Sequence, residues 1–98
     1  MRFEGRTERR VTKAVAVKLL IPEESLLADH AMTLNVSPHG ARLQTNRKWK
    51  PGARPRVARN PREPPVEARV VYCEPLPGGR FSVGLEIRPG VIDWDVEL

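Results

Sequence analysis

One cysteine, two histidines and five aromatic side chains are all that this chain of 98 residues offers to several kinds of chemistry. The lone thiol, Cys73, excludes an internal disulfide framework and fits a reducing cytoplasm. It sits in an apolar strand pattern and reads as a small packed hydrophobe. With His30 and His39 the only imidazoles, no metal-ligand spacing is present. The nucleophile, base and orienting group that covalent catalysis needs are missing as a set. So is a glycine-rich strand-to-helix loop for a mononucleotide phosphate. The chain therefore reads as a non-enzyme without a cofactor. Long apolar runs are lacking too: Leu19-Leu20-Ile21-Pro22 is far too short to span a bilayer, and "MRFEGRTERR" has no apolar signal core. A cytoplasmic protein with no membrane insertion is expected.

Helical periodicity is also scarce, since no segment keeps it for more than two turns. Strand patterns replace it. Val15, Val17, Leu19 and Ile21 share one face of the first run, and Ala41, Leu43 and Thr45 alternate with Arg42 and Gln44 in "ARLQTN". In "VEARVVYC" the shared face is Val66, Ala68, Val70 and Tyr72, with Cys73 opposite. "LPGG" at 76–79 reads as a hairpin connection into "RFSVGLEI", whose inner face is Phe81, Val83, Leu85 and Ile87. "ARPRVAR" is a short strand with Pro55 tolerable on an edge, and "RNPREPP" at 59–65 an extended loop. Residues 26–34 admit either a helical turn or a strand, and "DWDVEL" either a tail or a helical stub. Ten prolines and seven glycines favour turns. The fold class is all-β: about six short antiparallel strands closing into a small barrel, with little or no helix.

Charge is the feature in excess. The net charge is +5, carried by 13 arginines against 4 lysines. A planar guanidinium grips phosphates and guanine edges bidentately, as an ammonium does not. Arg6, Arg9 and Arg10 cluster ahead of the first strand, in a segment too polar for a core. In "TLNVSPHGARL", Asn35 and Ser37 lie two apart, so an extended backbone turns both to one side. Gly40 admits a ligand close to the backbone because no Cβ stands in the way. Each group alone has a bland reading, a solvated arm or ordinary turn chemistry.

Taken together, Arg6-x-x-x-Arg10 followed by Asn35-x-Ser37-x-x-Gly40 in a small all-β chain resembles the PilZ domain family, with its RxxxR and [D/N]xSxxG motifs. "ARL" after Gly40, "KPG" at 50–52, "VEARVVYC" and "VGLEI" also look like the family's later strands. The resemblance covers roughly residues 5–88. It implies an N-terminal arm at 1–11, a barrel at 12–90 and a C-terminal tail at 91–98. The implied ligand is cyclic di-GMP, bound by Arg6, Arg10, Asn35, Ser37 and Gly40, with Arg9 an accessory. Asn35 departs from the aspartate that many members carry, exchanging two acceptor oxygens for one acceptor and one donor group. The arm would order on binding and relay the signal to a partner protein, or through self-association as a homodimer.

Two other readings compete. One is a PilZ-like protein-interaction adaptor that does not bind the nucleotide, although members of that kind usually lose one of the two motifs. The other is a nucleic-acid barrel, because residues 42–62 hold eight Arg or Lys and no acid. The few aromatics form no stacking platform, so nucleic acid is not the expected partner.

Overall fold

A computed structural model of the chain describes residues 9–21 and 24–95, and of residues 24–27 the backbone alone. Its strands are β1 (Val11–Thr12), β2 (Ala16–Ile21), β3 (Glu24–Ser37), β4 (Gly40–Thr45), β5 (Arg56–Ala58), β6 (Val66–Leu76) and β7 (Arg80–Ile87). Antiparallel pairing runs β3-β2-β5-β6-β7-β4, and β4 returns to β3. The result is a closed six-stranded antiparallel barrel, with no helix among the described residues. Closure removes the open sheet edges that would otherwise invite aggregation.

Length explains how β3 serves three partners. Its 14 residues outrun the 6 of β2. The first half pairs with β2, while the second half pairs with β4 on one side and takes β1 on the other. β1 thus fixes the base of the N-terminal arm through Val11↔Val36 and Thr12↔Asn35.

The interior follows the alternation in the sequence. Val17, Leu19, Leu43, Val70, Val83, Leu85 and Ile87 are buried, with Val15, Ile21 and Phe81 packed against them. Residues 26–34 settle as strand: Asp29, Ala31 and Thr33 point inward while His30 and Met32 are exposed. β2 pairs with β3 up to Met32 and β4 from Ala31 onward, so neighbouring strands satisfy the backbone in place of a helical turn. The buried Asp29 carboxylate accepts a hydrogen bond from Trp49 Nε1 at 2.8 Å.

Two strand-level expectations need correction. Pro55 is buried and β5 is interior, flanked by β2 and β6. The proline is tolerated because it stands just ahead of β5 and contributes only its carbonyl, which accepts from Ala68 N at 3.0 Å. Tyr72 does not share a face with Val70. The register slips between Val70 and Tyr72, leaving Val71 half exposed and bringing Cys73, not Tyr72, against the core. One extra residue in a strand reverses the facing of everything beyond it. Cys73 is nonetheless the small packed residue expected of it, and its sulfur accepts from Trp49 N at 3.3 Å.

Residues 91–95 run irregularly over the barrel and insert Ile92 and Trp94 into the core. Trp94 Nε1 donates to Ser37 O at 2.8 Å and Ile92 N to Pro38 O at 3.0 Å. Arg59 Nη1 donates to Asp93 O at 2.6 Å, and its guanidinium lies 6.0 Å from the Trp94 ring centroid. The loop after β5 and the C-terminal segment thereby hold one another.

Candidate functional site

The turn between β3 and β4 is held from beneath before it meets anything above. Ser37 and Pro38 offer their carbonyls to Trp94 and Ile92, and His39 O accepts from Ile87 N at 2.9 Å. With the backbone tied down, the outer side chains of the turn have a fixed platform. Continuing the β1–β3 register by one residue sets Arg10 beside Ser37. Arg10 Nη1 donates to Asn35 Oδ1 at 2.9 Å.

Gly40 lies where these groups meet. A Cβ built there would come 3.0 Å from Arg10 Nη2, 3.3 Å from Leu85 O and 3.4 Å from Ser37 Oγ. The missing side chain is therefore what lets the Arg10 guanidinium and the Ser37 hydroxyl approach the same spot. Arg10, Asn35, Ser37 and Gly40 are brought together as a group. Arg9 lines a second hollow with Val11, Ser37, Ile92 and Trp94, on the side of the turn facing the C-terminal segment, so Ser37 belongs both to the cluster and to that hollow. Arg6 lies outside the described residues.

Beside the cluster is an open hollow of about 330 Å³, lined by Arg10, Asn35, Arg42, Val71, Tyr72 and Gly84. Four of these, Arg42, Val71, Tyr72 and Gly84, escaped sequence reasoning for different reasons. Arg42 had a signal, being two residues past Gly40 on the same strand and so on the same face. Its Nε donates to Ser82 Oγ at 3.0 Å, which fixes the guanidinium while its other N–H groups stay available. Val71 and Tyr72 reach the hollow only because of the bulge in β6. Asn35, Arg42, Gly84 and Tyr72 then form one row across four strands.

Gly84 makes that row possible. A Cβ at this position would lie 2.2 Å from Tyr72 Cε2, so the phenol ring rests directly on the glycine backbone. The hollow thus has an aromatic wall, two guanidinium groups and an amide above a floor that includes buried Ala41 and Leu85. It can accept a flat, hydrogen-bonding, anionic ligand. Among the described residues, no group of His, Cys, Asp and Glu is arranged to hold a metal ion.

A closed antiparallel barrel bearing such a hollow on its outer face has the build of a small ligand-binding β-barrel domain. The model of the PilZ domain matches residues 4–93, and the chain belongs to that family. Its members are receptor and adaptor domains of cyclic-di-GMP-binding type, not enzymes. Among solved structures the chain is similar to the Bacillus subtilis inhibitor of motility (MotI/DgrA), with a TM-score of 0.69 at 19% identity. That likeness covers 92% of this chain but 46% of the other, so the chain spans less than half its length. No curated protein matches the sequence. No helix among the described residues is long and apolar enough to cross a membrane.

Proposed function

We propose that this protein is a receptor for cyclic di-GMP that acts on a partner protein in the cytoplasm without a cofactor of its own. The observation that carries the reading is the convergence of Arg10, Asn35 and Ser37 over a glycine that leaves them room. Cyclic di-GMP presents two phosphates and two guanines. Arg10 donates a pair of N–H groups to a guanine O6/N7 edge or to phosphate oxygens. Arg6, the first arginine of the RxxxR motif, supplies a second fork. Asn35 and Ser37 bond a guanine edge from the barrel wall, and Gly40 admits the ring. Arg42 and Tyr72 extend the site beyond the motif residues. Arg9 contributes only to the local positive potential.

The arm is the moving part of this reading. β1 anchors it at Val11 and Thr12, and its arginines are drawn onto the ligand. The ordering changes the surface offered to the partner. Calorimetric titration of the purified chain with cyclic di-GMP, with GTP as the control ligand, tests the receptor. Saturable binding of cyclic di-GMP with none of GTP is expected. No heat with folded protein would leave a PilZ-fold adaptor that works without the nucleotide.

A further inference from the structure

A second charged surface lies on the outer face of β5, β6 and β7. Six side chains form it: Arg54, Arg56, Glu67, Arg69, Glu86 and Arg88, around an open groove of about 650 Å³. The strand register arranges them in two rows. Arg56 is opposite Glu67, and one step along the β6–β7 ladder Glu67 meets Arg88, where Arg88 N donates to Glu67 O at 3.3 Å. In the other row the extended chain ahead of β5 carries Arg54 beside Arg69, which is opposite Glu86.

The two halves of the groove differ in how their charge is used. Glu86 takes Arg69 Nη2 at 3.2 Å and Arg88 Nε at 2.9 Å, so these three groups largely satisfy one another. Arg54 and Arg56 are exposed and, among the described residues, have no side-chain partner. Two exposed guanidinium groups on one face, without a side-chain partner among the described residues, are an attractive surface for carboxylates or phosphates.

We infer that this groove docks an acidic, extended segment of a partner protein. Spacing favours the peptide. Arg54 and Arg56 lie two residues apart on extended backbone, about 7 Å, and carboxylates at alternate positions of an extended peptide repeat at the same interval. The groove's own acids argue against nucleic acid. A phosphate backbone carries a charge about every 3.4 Å along each strand and would be driven against Glu67 and Glu86. Acidic side chains separated by neutral ones can engage the arginines and pass the glutamates by. No aromatic ring lines the groove, so it offers bases nothing to stack on. Position adds a consequence: Glu86 is opposite Gly40 in the β4–β7 ladder, so the groove begins where the Gly40 cluster ends.

The test uses the full chain and a fluorescein-labelled peptide of alternating Glu and Ser, followed by anisotropy at about 0.1 M salt, where charges are screened over ~10 Å. The comparison protein is the double variant Arg54→Gln/Arg56→Gln. Both side chains are exposed, and glutamine sets no like charge opposite Glu67, so its thermal melt is expected to match the parent's. The peptide is expected to bind the parent and to bind the variant at least about tenfold more weakly. A single-stranded oligonucleotide of equal charge is expected to bind the parent less tightly than the peptide does. Calorimetry on the variant is expected to return the parent's cyclic di-GMP affinity and stoichiometry. Equal peptide binding by parent and variant, or failure of the parent to bind, would overturn the inference. So would tighter binding of the oligonucleotide, or a lower cyclic di-GMP stoichiometry in the variant, which would assign the groove to the nucleotide.

Discussion

Arg10→Ala is expected to weaken cyclic di-GMP binding by roughly 10- to 150-fold while leaving the barrel as stable as before. The estimate takes the loss of one charged hydrogen-bonding interaction, about 1.5–3 kcal/mol. The guanidinium is exposed, and its protein partner is the amide oxygen of Asn35, which water can solvate in its place. Stability should therefore move by less than about 0.5 kcal/mol. Arg10→Lys separates charge from geometry, because an ammonium keeps the attraction to phosphate but lacks the planar fork. If the fork reads a guanine edge, lysine recovers only a small part of the affinity. Full recovery by lysine would mean that Arg10 acts as a point charge near phosphate. Calorimetric titrations of the two variants beside the parent measure both outcomes.

The largest effect on stability is expected at a residue remote from the ligand. Trp94 is buried, packs in the core and donates to the carbonyl of Ser37. Truncating a buried tryptophan to alanine costs about 3–5 kcal/mol. Small domains hold only roughly 5–15 kcal/mol in total. Trp94→Ala should lower the melting temperature by about 12 °C or more. It should also weaken nucleotide binding, because the Ser37–Pro38 backbone loses its support from below. Trp94→Phe keeps a six-membered ring but removes the N–H and leaves a smaller cavity. Its expected cost is about 1–3 kcal/mol in stability, with a smaller loss of affinity in the same direction. Unchanged melting of the alanine variant would show that residues 91–95 are not part of the folded unit.

Much of the fold was legible because alternation and turn chemistry agreed. "RFSVGLEI" shows its inner face at Val83, Leu85 and Ile87, and all three are buried. The Asn35–Gly40 motif was legible because its residues are close in sequence and share one turn. Three features were not legible, each for a physical reason. The bulge at Val71 depends on how β6 meets β7, and a strict period of two assigns Tyr72 and Cys73 to the wrong faces. Ile92 and Trp94 belong to an alternation of apolar and acidic residues, "IDWDVEL", which signals one buried face without saying what covers it. Their burial depends on the barrel wall and on Arg59 from a distant loop. The arginine groove needs the register of three strands, since Arg54, Arg69 and Arg88 are far apart in the chain.

The most direct test of where the ligand sits is a titration of isotope-labelled protein with cyclic di-GMP, followed by amide resonances. Shifts are expected to concentrate at Arg10, Asn35, Ser37, Gly40, Arg42 and Tyr72, saturating together, with little change along β5. No shifts at saturating nucleotide, or shifts confined to the β5–β6 face, would rule out binding at the Gly40 cluster.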